Sequence, residues 1–283
     1  MKDRFDEVNG VRLHSLEAGP ESGEIIIFLH GFPEYSGAWN QQLDFMAKNG
    51  YHALAPDQRG YNLSSKPGGV KSYLINTLVA DIAALITRLT NQKVILVGHD
   101  WGGGIAWELA TQHPDKVKQL VIINMPHLAV MKQALKTNPR QMLKSWYAAF
   151  FQFPLLPELL CRSFNFSFLA RAMSGTANKD TFSKEDFRNY KQVWQQPGAL
   201  TTMINWYRAF KYHTISNAPI IVPALMIWGK NDKTLNASMA RPSIAKCTNG
   251  KLVIIDDATH WVYHEKPDEV NSQILNFVKG FNT

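Results

Sequence analysis

The stretch Lys93-Val94-Ile95-Leu96-Val97-Gly98-His99-Asp100-Trp101-Gly102-Gly103-Gly104 carries the clearest chemistry in the chain. An aliphatic run ends in Gly-x-Asp-x-Gly, and small residues follow. This is the spacing of a nucleophile elbow, a sharp strand-to-helix turn that raises one side chain above the sheet edge, with aspartate where serine is commoner. The turn strains residue 100. Gly98 and Gly102 flank it because a Cβ at either place would collide with neighbouring backbone. An ordinary strand–turn–helix with an exposed Asp leaves both glycines unexplained. Aspartate also selects the reaction. A carboxylate with a pKa of about 4 is ionised at neutral pH and needs no base to activate it. Acyl transfer to it would give an anhydride, whereas displacement at a saturated carbon gives an alkyl ester. A second step must then hydrolyse that ester.

The second step needs a base on the same sheet edge. His260 follows the apolar run Leu252-Val253-Ile254-Ile255, and an imidazole with a pKa of about 6.5 can take a proton from water. A carboxylate must fix its tautomer. Asp232, in Gly229-Lys230-Asn231-Asp232, gives the chain order nucleophile, acid, histidine. Asp256 and Asp257 are rivals but lie too close along the chain to reach the ring easily. His52, His113 and His213 read as surface or helix-end residues, and His99 as a packed neighbour of the elbow. After the first apolar run comes Leu29-His30-Gly31-Phe32-Pro33. The backbone N–H groups of Phe32 and Trp101 can converge there on one oxygen as an oxyanion hole.

These residues need a sheet to hold them. Strand-like runs fall at 24–29, 53–56, 93–98, 118–124, 224–228 and 251–255, and amphipathic stretches at 74–89, 103–111 and 268–280. Buried runs alternating with helices imply parallel strands and right-handed crossovers. From 127 to 213 there is no strand-like run, and aromatics and charges recur at helical spacing. The expected organisation is an α/β core over 1–126 and 214–283, with a helical cap inserted over 127–213.

Composition narrows the function classes. The 283 residues are 45% apolar and 19% charged, enough for a sizeable core. Two cysteines, Cys161 and Cys247, make no disulfide framework and have no partner at metal-ligand spacing. No apolar run approaches the roughly 20 residues of a membrane span. Met1-Lys2-Asp3-Arg4-Phe5-Asp6-Glu7 has no apolar signal core, so a soluble, cytoplasmic protein is expected. The net charge of +7 resides in 127–213, where twelve Lys/Arg face four Asp/Glu. No basic run or nucleic-acid motif accompanies it, so a solvated helical face is expected, with contact to a membrane surface or polyanion as the other reading.

Taken together, the chain resembles the epoxide hydrolases of the α/β-hydrolase superfamily over roughly residues 10–280. The resemblance rests on His30-Gly31-Phe32-Pro33, Asp57-Gln58-Arg59-Gly60-Tyr61, Gly98-His99-Asp100-Trp101-Gly102-Gly103, Asn205-Trp206-Tyr207-Arg208, Trp228-Gly229-Lys230-Asn231-Asp232 and His260-Trp261. It implies an α/β-hydrolase fold, a mostly parallel central sheet flanked by helices and covered by a helical cap. It also implies cap tyrosines that hold the epoxide oxygen. Tyr207 carries over as that donor. Many members have a second tyrosine before Phe-Gln-x-Pro, but Phe150 stands there, and Tyr147, three residues earlier on the same helical face, can substitute, the other reading being a packed or surface aromatic.

The expected activity is hydrolysis of a lipophilic epoxide to a vicinal diol, with no cofactor or metal and a small-molecule partner only, as monomer or homodimer. Asp100 is the nucleophile, His260 the base, Asp232 its orienting acid, and Tyr207 and Tyr147 the donors. Trp101, Phe150 and Trp206 are expected to touch substrate. Three alternatives share the scaffold. Haloalkane dehalogenases pair a Trp after the nucleophile with an Asn after His-Gly, where this chain has Phe32. Fluoroacetate dehalogenases place Arg where this chain has Trp101. The third alternative is a catalytically weak binding protein.

Overall fold

In a computed structural model, which describes residues 1–280, eight strands form one sheet in the order β1-β2-β4-β3-β5-β6-β7-β8. They are β1 (Lys2–Val8), β2 (Val11–Ala18), β3 (Ile25–Leu29), β4 (His52–Pro56), β5 (Val94–His99), β6 (Val117–Ile123), β7 (Ala224–Gly229) and β8 (Gly250–Ile255). From β4 to β8 all neighbours are parallel, while β1–β2 and β2–β4 are antiparallel. The hairpin β1–β2 precedes the first strand-like run of the sequence. It turns at Asn9-Gly10, both at positive φ, the geometry of a two-residue hairpin loop.

Strand side chains alternate between two cores. Ile27, Leu29, Leu96, Leu120 and Ile122 face one layer, and Ile26, Phe28, Ile95, Val97 and Val121 the other. Both faces are therefore covered, which is why these strands read as continuous apolar runs. The covering helices are α1 (Asn40–Lys48), α2 (Ile75–Leu89) and α3 (Trp101–Gln112) in the first part of the chain. Helix α2 shows the logic: Ile75, Leu78, Val79, Ile82 and Ile86 lie buried on one stripe.

Between β6 and β7 come α4 (Leu128–Thr137), α5 (Pro139–Lys144), α6 (Trp146–Phe150), α7 (Leu156–Thr176), α8 (Lys184–Trp194) and α9 (Ala199–Ala209), with no strand among the described residues of this stretch. Local chemistry starts two of these helices. Asn138 caps α5 with Pro139 at its first position, and Ser183 and Asp186 form a capping box at α8. Helix α7 is broken at 163–166, where Phe164, Asn165 and Phe166 have positive φ. After β7 follow α10 (Ala240–Ile244), α11 (Val262–Glu265) and α12 (Pro267–Lys279).

The helical stretch is tied to the loops above the sheet. The indole N–H of Trp194 donates to the Pro33 carbonyl at 2.7 Å, and the Thr202 hydroxyl to the Gly60 carbonyl at 2.6 Å. Cys161 and Cys247 are free thiols, and burial pushes each up to about 12. No described helix is long and apolar enough to cross a membrane.

His213, expected at the surface, is buried, and so is His52. His213 and the buried His127 stand where the chain returns from and enters the helical stretch. Burial pulls both down to about 4, helped by Lys246 at His127 and Lys132 at His213. A histidine neutral in the fold and protonated when unfolded stabilises fully above the unfolded value of about 6.5, and that stability is lost as pH falls towards 4. The loss is on the order of 3 kcal/mol per histidine at most. Urea midpoints should therefore drop between neutral pH and about pH 4.5, and His213→Gln should shrink the drop. An equal drop in that variant would acquit His213.

Candidate active site

Asp100 sits between β5 and α3 at φ 47°, ψ −125°, a strained position for a residue with a side chain. The flanking glycines fit because nothing larger does. A Cβ on Gly98 would lie 2.5 Å from the Gly102 carbonyl oxygen, and one on Gly102 would lie 2.2 Å from that of Leu29. Across the site, a Cβ on Gly31 would come within 2.4 Å of the Asp100 Cβ. Main chain and the Asp100 side chain are thus in van der Waals contact. The Phe32 N–H donates to Asp100 Oδ1 at 2.9 Å. Trp101 opens α3, so its N–H has no acceptor within the helix. One of the two expected oxyanion donors already points at the carboxylate, and the other adjoins it.

His260 presents Nε2 3.7 Å from Asp100 Oδ2. That is beyond hydrogen-bond range and leaves an approach for a bridging water. Its Nδ1 is 2.8 Å from Asp232 Oδ2. Asp256 and Asp257, the rival acids, are exposed and pair with Lys230 and Lys266 instead. The Asp232 carboxylate is saturated. Oδ1 accepts from the Thr234 N–H, the Thr234 hydroxyl and the Leu235 N–H, each at 2.7 Å, and Oδ2 also accepts from Asn124 at 2.7 Å. Burial alone would raise its pKa, but the His260 charge and these donors hold it below the usual carboxylate range. For His260 burial pulls downward, yet Asp232, then Asp100 and Glu34, outweigh it and push the ring up to about 9.

Sequence reasoning missed a second acid. Glu34, one residue past His30-Gly31-Phe32-Pro33, is fully buried. Its carboxylate accepts from the Tyr190 hydroxyl at 3.0 Å and the Tyr263 hydroxyl at 2.5 Å, and lies 2.7 Å from His264 Nε2. It is also 3.2 Å from His99 Nδ1, whose Nε2 lies 3.0 Å from the His260 carbonyl oxygen. Burial would raise Glu34, but His264 and His99 hold it well below the usual range. Glu34 thus joins α8, α11 and the backbone of His260 in one network. Asn124, at the end of β6, was missed as well. It accepts from the Gly229 N–H at 2.8 Å while donating to Asp232, and so fixes the loop that carries the acid.

Tyr147 and Tyr207, Asp100 and His260 border one cavity of about 560 Å³. Its walls are mostly apolar and include Phe32, Trp146, Phe150, Phe151, Phe168 and Trp261. Asp100, Tyr147 and Tyr207 also border a second cavity of about 150 Å³, with Trp101 and Met125. Burial, and after it neighbouring charges including Asp100, raises both phenols above their ordinary range, so both remain protonated donors. The rings lie edge to face at 5.8 Å. Arg208 clamps their supports together, donating to the Phe151 carbonyl at 3.0 Å and the Phe153 carbonyl at 2.6 Å and pairing with Glu158.

Phe150 reaches the larger cavity and Trp101 only the smaller. Trp206, expected to touch substrate, borders neither. It is fully buried, donates to the Arg59 carbonyl at 3.1 Å and packs on Tyr61 and Trp101. Its helix presents Tyr207 to the cavity and turns Trp206 into the core. Among the described residues, no group of three His, Cys, Asp or Glu is placed to hold a metal.

Comparison with known proteins agrees with the fold. Residues 24–267 match the family model described as alpha/beta hydrolase fold. The chain is 45% identical to an AB hydrolase superfamily protein of Bacillus subtilis, with 99% of both chains covered. It is 35% identical to human epoxide hydrolase 4, covering 96% of this chain and 76% of that one. A crystal structure of Bacillus megaterium epoxide hydrolase in complex with an inhibitor superposes with a TM-score of 0.89 at 33% identity, covering 98% of this chain and all of the other. The fold and site define a hydrolase of the α/β-hydrolase superfamily. Within it, the chain belongs to the epoxide hydrolases.

Proposed function

We propose that this enzyme converts a lipophilic epoxide and water to a vicinal diol through an ester on Asp100, with residues 127–213 as the cap over the site. The observation that carries the reading is the sharing of one apolar cavity by Asp100, His260 and two protonated phenols. Asp100 attacks the less hindered epoxide carbon. Tyr207 and Tyr147 hydrogen-bond the ring oxygen and supply the proton that the nascent alkoxide needs. His260, oriented by Asp232, then takes a proton from water, which adds to the ester carbonyl. The oxyanion is met by the N–H groups of Phe32 and Trp101. The ester C–O bond breaks, the proton of the added hydroxyl passes to the departing diol oxygen, Asp100 is restored as the carboxylate and the diol leaves.

The charges favour this order. While Asp100 is ionised it helps hold His260 protonated. Alkylation erases that charge, the ring holds its proton more weakly and gives it up to replace the one the phenol has lost, and neutral imidazole is left for the second step. Dehalogenation has less support. The Phe32 side chain packs on Tyr207 and Phe151 and offers a halide no donor. Trp101 occupies the position where a carboxylate-gripping Arg would be needed.

The direct test is a single turnover in heavy-oxygen water with enzyme in excess over epoxide. The first diol should be unlabelled, because its new oxygen comes from Asp100. Label in that diol would mean direct attack by water and would remove the nucleophile assignment.

A further inference from the structure

The rim of the larger cavity has a composition that catalysis does not need. We propose that this rim docks on an anionic lipid surface, from which a lipophilic substrate enters the cavity. The inference deepens the functional reading, since it concerns how that site is supplied. Leu143 and Trp146 border the cavity yet are 76% and 58% exposed. Phe153, Leu156, Leu159 and Phe164, on the same helical stretch, are also more than half exposed, with Phe164 at 89%. Trp146, Phe150 and Phe153 form a continuous aromatic row from solvent to cavity wall. Exposed side chains of this size crowded into one segment mark an interaction surface.

Charge selects the occupant. Over residues 136–171 there are five Lys/Arg, among them the exposed Arg140 and Arg162, and one Asp/Glu, and that acid, Glu158, is neutralised by Arg208. Exposed Arg171 and Lys233 also stand on the cavity rim. Apolar side chains interleaved with cations fit an interface of acyl chains and anionic headgroups. A second copy of the chain would bring like charge against like. Nucleic acid would use the cations and leave the aliphatic residues unsatisfied.

The experiment is co-sedimentation of the full chain with vesicles of phosphatidylcholine alone or mixed with phosphatidylglycerol, at low and high salt. Binding should require phosphatidylglycerol and fall at least about tenfold at high salt or in the Arg140→Glu/Arg162→Glu variant. Leu159→Ser and Phe164→Ser, at exposed positions outside both cavities, should weaken binding to the same vesicles. Both should leave turnover of a dissolved epoxide unchanged. No binding to phosphatidylglycerol vesicles at low salt overturns the proposal. So does a homodimer dissociated by the serine variants without vesicle binding. Binding that follows charge but ignores Leu159 and Phe164, the behaviour of a polyanion site, overturns it too. Sedimentation needs no catalysis, so a failure of the epoxide reading would show in turnover and leave this measurement intact.

Discussion

His260→Gln should stop the enzyme halfway. The variant keeps Asp100, the phenols and the Phe32 donor, so ring opening proceeds and the ester forms. Glutamine can still bond Asp232 but cannot take a proton from water. Intact-protein mass after a denaturing quench should rise by the full mass of the epoxide, because ring opening expels no leaving group. Steady-state turnover should fall by about 10³-fold or more, the upper range for general-base catalysis. Unchanged turnover would displace His260 as the base. A companion measurement checks the charge coupling. Asp232, then Asp100 and Glu34, push the His260 ring up to about 9, and Asp100→Asn should move its titration down, since a carboxylate neighbour is removed. An upward or absent shift would contradict the proposed release of neutral imidazole.

The second large effect concerns the phenols. Tyr207→Phe keeps the ring packed against Phe32, Trp101 and Phe151, at 5.0 to 5.1 Å, and removes only the hydroxyl. Losing one preorganised donor costs about 10²-fold, and Tyr207→Phe with Tyr147→Phe should cost 10³-fold or more, roughly, since no phenol then serves the alkoxide. Rapid-quench measurements should place the whole loss in ester formation, with hydrolysis of preformed ester unaltered. A loss divided equally between the steps would mean that the tyrosines shape the site without serving the ring oxygen.

The distribution of what the sequence disclosed follows from locality. Asp100 was legible because its elbow is encoded within five residues, and steric exclusion forces glycine on both sides. Strands β3 to β7 were legible because each is buried on both faces and reads as an apolar run, and the half-exposed edge strand β8 because of its aliphatic run Leu252-Val253-Ile254-Ile255. The hairpin β1–β2 is at the sheet edge and alternates charge with apolar residues, so its one local signal is the turn Asn9-Gly10 between Val8 and Val11. Glu34 was hidden for another reason. Its partners Tyr190, Tyr263 and His264 lie 156, 229 and 230 positions away, and no local pattern announces them. Trp206 and Tyr207 are neighbours in one motif, and only the helix rotation sends one to the core and the other to the cavity. His213 failed similarly, because a polar residue near a helix end reads as exposed until tertiary packing closes over it.

The main chain around position 100 has no spare volume: not one methyl fits at 31, 98 or 102. Any lineage built on this frame must keep its backbone path and can diversify only in what hangs from it. Redesign aimed at new reactivity would be better spent on the residue at 100 and on the roof above it than on the loops that seat them. The frame behaves as a fixed mounting into which different reactive groups can be fitted.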